Sequence, residues 1–167
     1  MATRGTRFFD HFFTSARAID RAFPEPALVR IEEVVTAAEA GTTGQIRVAI
    51  EAHLPAIAAW SGYSARERSI DVFSQLRVWD TEHNNGVLIY LLMADKDVEI
   101  VADRHIHLAT GSREWNRICK LMEAHFARGE FEKGICVGAT EIGALLRKHY
   151  PGEAARNELP NRPYLYR

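Results

Sequence analysis

The run Val87-Leu88-Ile89-Tyr90-Leu91-Leu92-Met93 constrains this chain more than any other stretch. Successive residues of a strand point to opposite faces, so an unbroken apolar run fits a strand covered on both sides. Asn85-Gly86 opens it with residues that tolerate a positive φ. Ala94-Asp95-Lys96-Asp97 is a short polar turn, and Val98-Glu99-Ile100-Val101 starts a return strand, so the segment reads as a hairpin. Alternation is weak in the first strand and partial in the second. The first is therefore expected at the centre of a sheet and the second nearer an edge.

The flanking sequence supplies partners for both faces. Gly44 to Glu51 alternates Ile46, Val48 and Ile50 against Gln45, Arg47 and Ala49, and reads as another strand. Ser64-Ala65-Arg66-Glu67 is a capping box, which starts a helix expected to reach about Val78 and to bury Ile70, Val72 or Phe73, and Leu76. Strand 44–51, helix 64–78 and strand 86–93 form a strand–helix–strand unit, for which parallel strands are the default. Further helices are read over 26–40, from Ser112 to Gly129, and over 131–150. Ala102 to Gly111 reads as irregular. Gly134 and Gly138 are expected to permit close packing on the sheet. The fold class is α/β: a single-domain α/β/α sandwich whose mixed sheet combines the parallel unit with the hairpin, helices on both faces.

Three regions follow. Residues 1–25 carry an amphipathic helix over 6–23, with Phe8, Phe9, Phe12, Phe13, Ala16, Ile19 and Phe23 on one side, packed on the domain or docking elsewhere. Residues 26–150 form the α/β domain. Residues 151–167, with prolines among charges, read as a tail that is poorly ordered or loosely docked.

A net charge of -1 provides no global field for nucleic acid or an anionic membrane, so no nucleic-acid partner is expected. No apolar stretch approaches the roughly 20 residues of a transmembrane helix, and charges interrupt the N-terminus where a signal peptide would be apolar. Cys119 and Cys136 lack metal-ligand spacing and read as buried free thiols, which suits a cytoplasmic location.

Several motifs together resemble the TPM domain family: S-A-R-E-R-S at 64–69, V-W-D-T-E-H-N-N-G-V-L-I-Y at 78–90, V-E-I-V-A-D-R at 98–104, Trp115, and G-E-F-E-K-G at 129–134. The likeness runs from about Ala27 to Tyr150 and is nearest the soluble bacterial branch. It implies a sheet sandwiched by helices. The roles it implies are diverse: phosphatase-like activity in a thylakoid-lumen member, accessory roles around membrane proteins, and metal-ion binding in some members. Members are often exported or membrane-tethered, whereas this sequence shows neither a signal segment nor an anchor.

The hairpin brings its two polar ends to one edge of the sheet. Asp80, Glu82, Asn84, Asn85, Asp103 and His105 are the candidate metal- or ligand-binding residues, with His83, Arg104 and His107 nearby. Their oxygens suit calcium or magnesium, and the histidines a softer ion such as zinc. A structural reading stands beside this one: Asp80 and Thr81 cap the preceding helix or brace the turn, Asp103 accepts backbone amides in a loop, and the histidines face solvent. Glu51, His53, Asp95 and Asp97 occupy the opposite edge. The sequence has no cysteine-phosphatase loop, Walker loop or G-x-S-x-G elbow, so phosphate-ester hydrolysis would need metal-activated water. Two functions follow. One is a binding or accessory module that recognises an unidentified protein, a membrane-associated one among the candidates, and that can carry a divalent ion. The alternative is a metal-dependent phosphatase-like hydrolase.

Overall fold

The computed structural model describes residues 16–55, 58, 61–154 and 156–167. In chain order they form α1 (Ala16–Ala22), α2 (Glu25–Glu39), β1 (Gln45–Glu51), α3 (Ala65–Gln75), β2 (Gly86–Leu92), β3 (Asp97–Ala102), α4 (Arg104–Thr110), α5 (Ser112–Ala127), α6 (Phe131–His149) and β4 (Tyr164–Tyr166).

The described strands make one sheet in the order β3-β2-β1-β4. β1 and β2 run parallel from Gln45↔Gly86 to Glu51↔Leu92, and β2 and β3 run antiparallel from Val87↔Ala102 to Leu92↔Asp97. The hairpin and the parallel unit are thus both present, with β2 interior and β3 at an edge. All of β2 is buried, because its alternate residues enter two separate cores.

Val87, Ile89 and Leu91 join Ile46, Val48 and Ile50 on the face covered by α1, α2, α4, α5 and α6. Leu88, Tyr90 and Leu92 join Ala49 on the other face, covered by α3 and by Leu159 from the C-terminal segment. The α/β/α sandwich is therefore lopsided, with most of the helical mass on one side.

Local chemistry sets the element limits. Ser64 Oγ accepts the Glu67 N–H, and the Glu67 carboxylate accepts the Ser64 N–H, which completes the capping box of α3. That helix ends at Gln75, sooner than the sequence suggests, and Arg77 takes a left-handed φ of 53°. Its buried side is rotated from the expected one: Ser69 and Val72 are inside, whereas Ile70 is 48% exposed. Ser69 can enter because its hydroxyl donates to the Arg66 carbonyl. The stretch after β3, expected to be irregular, is the short helix α4, buried through Ile106. Gly134 and Gly138 do not face the sheet. They lie against Phe126 and Met122 of α5, while Gly143 meets Ala38 of α2.

The C-terminal segment departs most from the sequence reading. It is seated in the fold, and Tyr164–Tyr166 pairs in parallel with Ala49–Glu51. Prolines in this segment suppress every ordinary strand signal, and its partners lie more than a hundred residues away. At the other end, Ile19 and Phe23 are buried in the main core. Phe8, Phe9, Phe12 and Phe13 lie outside the described residues.

Candidate functional site

The amino edge of the sheet is where β1 and β2 begin and β3 ends. Asn85 and Asp103 meet there through the first residue of β2: the Gly86 N–H donates to Asp103 Oδ2 (3.0 Å) and the Asp103 N–H donates to the Gly86 carbonyl. Burial pushes the Asp103 carboxyl above its ordinary range, opposed by that amide and by His105. Asn85 is fully buried. Its N–H donates to Thr81 Oγ1 (3.0 Å), and its side-chain amide donates to the carbonyl and hydroxyl of Thr43. The loop preceding β2 is tied down by these bonds. Asn84 turns it with a φ of 49°.

The remaining predicted residues point elsewhere. Asp80 accepts from Arg77 Nη2 at 2.6 Å. Glu82 is exposed and its backbone N–H donates to the Glu158 carboxylate (3.0 Å). His83, Asn84, Arg104, His105 and His107 are exposed. Among the described residues, no three or more His, Cys, Asp or Glu side chains gather so as to hold a metal ion. The oxygen donors expected for calcium or magnesium do not converge, because Asp80, Asn85 and Asp103 are each turned toward a partner within the chain.

What the edge offers instead is recessed polar surface. A hollow of about 620 Å³ is lined by Asp80, Thr81, Glu82, Arg156 and Glu158. A cleft of about 470 Å³ lies next to it, between α2 and the C-terminal segment, and Arg156 borders both. Within that cleft, Glu39 Oε1 accepts the Ile46 N–H (2.7 Å), and burial pushes the carboxyl up to about 7 against the opposing bonds from Ile46 and Asn161. Sequence reasoning missed Glu39, Arg156 and Glu158. One signal was available for Glu39: it stands in the last turn of α2, a helix end that favours cations, and no basic residue accompanies it there.

The carboxyl edge holds a second polar group. Glu51 accepts from Arg68 Nε (2.8 Å) and Nη2 (3.1 Å) and from the Tyr90 hydroxyl (2.6 Å). Every member is satisfied within the chain, so this triad fastens α3 to the sheet. Cys119 and Cys136 are free and half-buried, and burial pushes the Cys119 thiol up to about 12, far from the thiolate a nucleophile needs.

A family model described as the TPM domain matches residues 21–145. The chain belongs to the TPM domain family. The match takes in β1, β2, β3 and the whole amino-edge loop, and it stops short of the C-terminal segment. No curated protein matches the chain. Among solved structures it is similar to the NMR structure of the BA42 protein from the psychrophilic bacterium Bizionia argentinensis, with 28% identity and a TM-score of 0.73, over 84% of this chain and 92% of that one. No helix among the described residues is long and apolar enough to cross a membrane.

Proposed function

We propose that this TPM-domain protein is a binding module that recognises a protein partner through the amino edge of its sheet, in the bacterial cytoplasm. The commitment of the edge side chains carries this reading. Asp103 holds the Gly86 amide, Asn85 holds Thr43 and Thr81, and Asp80 holds Arg77. A hydrolase needs a base or metal-bound water free to meet its substrate. Here the same groups stiffen a platform from which Glu82, Asn84, His105 and Arg156 project, exposed. Rigid backbone beneath exposed polar side chains suits recognition, since little ordering is left to be done on binding. The free, half-buried cysteines fit the cytoplasmic setting.

The test has two arms. Purified full-length protein is assayed with p-nitrophenyl phosphate, with and without calcium, magnesium or zinc, and is expected to show no turnover. In a pull-down from native extract, the protein is expected to capture a partner that the Glu82→Lys/Arg156→Glu double variant loses. Metal-dependent cleavage that disappears in Asp103→Ala would overturn this reading in favour of the hydrolase.

A further inference from the structure

The C-terminal segment is gripped by its main chain. Gln45 Oε1 accepts the N–H groups of Glu158 (2.9 Å) and Leu159 (3.3 Å). Arg47 Nη1 donates to the carbonyl oxygens of Pro160 and Arg162, each at 2.6 Å. Tyr164–Tyr166 then adds to β1 as a strand, and the Ala52 N–H donates to the Tyr166 carbonyl. Side-chain anchors add to this grip: Leu159 enters the core under α3, and the Asn161 amide donates to Thr36 Oγ1 at 2.8 Å. At the exposed rim Arg162 donates to Glu25 (2.6 and 2.8 Å) and Arg167 to Asp20 (3.0 Å).

Gln45 and Arg47 are 2% and 6% exposed, on a strand face where buried apolar residues would be the simpler choice. Buried polar groups are costly unless bonded, and these two bond to a main chain. That is how strand-adding grooves work: backbone bonds supply affinity and pockets for alternate side chains supply specificity. The segment also lies outside the TPM match, so what it covers is the free edge of the domain's own β1.

We propose that the outer edge of β1 is a peptide-binding groove for an extended segment of a partner protein, occupied at rest by residues 158–166 of the chain itself. This rests on the binding-module reading for the class of partner and adds a second surface, the outer edge of β1, which adjoins the amino edge at Gln45 and Glu158. The fitting peptide carries an aliphatic residue where Leu159 sits and aromatic residues at the positions of Tyr164 and Tyr166. Those rings lie under the guanidinium groups of Arg47 (5.8 Å to the centroid) and Arg68 (5.0 Å). Prolines at the positions of Pro160 and Pro163 hold such a peptide extended before it binds. The resident segment competes at an effective concentration in the millimolar range, so a free peptide binds the resting protein weakly.

The test uses a fluorescent peptide of residues 158–167 and the full-length chain. Apparent affinity is expected to rise about tenfold in Leu159→Ala, which loosens the resident segment, and to fall back when Gln45→Ala is added. Asn161→Ala, which removes the side-chain hydrogen bonds to Thr36 and Asn157 and no apolar core volume, is expected to move affinity in the same direction and serves if Leu159→Ala fails to fold. The proposal is overturned if the loosened variants bind no tighter than wild type or if Gln45→Ala has no effect. It is also overturned if the loosened variants become dimers, which would make a second copy the occupant. Peptide binding is read independently of the phosphatase and pull-down arms, so the two readings fail separately.

Discussion

Arg68→Met tests how the lightly covered face of the sheet is held. The side chains of Glu51 and Arg68 are 8% and 16% exposed, and Arg68 contributes two charged hydrogen bonds, at 2.8 and 3.1 Å. Methionine keeps much of the apolar stem and deletes the cation. Glu51 is then left buried with the Tyr90 hydroxyl as its one remaining partner in this triad. Breaking a buried pair costs about 3–5 kcal/mol, and the surviving tyrosine bond places this case near 3 kcal/mol. Loss of the guanidinium over the Tyr166 ring adds about 0.5 kcal/mol. In a chain of this length that corresponds to a fall in Tm of roughly 10 °C. Urea denaturation followed by far-UV circular dichroism at pH 7 measures it. Adding Glu51→Gln to Arg68→Met should restore at least about 1 kcal/mol, because the stranded charge is gone. A loss below about 1 kcal/mol for the single variant, or no recovery in the double one, would show that the triad is not what fastens α3.

Glu39 has a folded-state pKa of about 7, above the ordinary 4.5, so the folded state holds its proton more tightly than the unfolded one. Its contribution is complete below about pH 4.5 and is lost as pH rises through about 7. Wild type should therefore lose on the order of 2 kcal/mol relative to Glu39→Gln between pH 4.5 and 8, as measured by paired urea titrations. Gly143→Ala would place a Cβ 2.5 Å from the Ala38 carbonyl oxygen, forcing α2 and α6 apart at a cost of about 2–3 kcal/mol in the same assay. Asp103→Ala should cost about 1–2 kcal/mol by stranding the Gly86 amide, with no change in p-nitrophenyl phosphate turnover.

Much of this was legible in the sequence because it depends on local periodicity. The apolar run of β2, the alternation in β1 and the capping box of α3 each need only a few neighbouring residues to be read, and each is found in place. The amino edge was legible in part. The hairpin register dictates that the loop before β2 and the residue after β3 share an edge, and Asn85 and Asp103 do meet there through Gly86. Their bonding was not legible, because an Asp or Asn that caps a backbone amide and one that binds a ligand look the same in a sequence. Ile70 was misplaced because periodicity gives a helical stripe its width but not its angle to the sheet.

The sequence by itself therefore determined the elements other than α4 and β4, the parallel unit with its hairpin, and the family. Tertiary structure alone decided what the polar side of β1 is for. Gln45 and Arg47 alternate with Ile46 and Val48 as the residues of a half-exposed strand would, yet they are buried under a segment that begins more than a hundred residues later. Main-chain groups are what those two side chains bind, and every residue carries the same main chain. A recognition that reads backbone leaves no trace in side-chain patterning, so the fourth strand and the groove beneath it emerge only once the chain is folded.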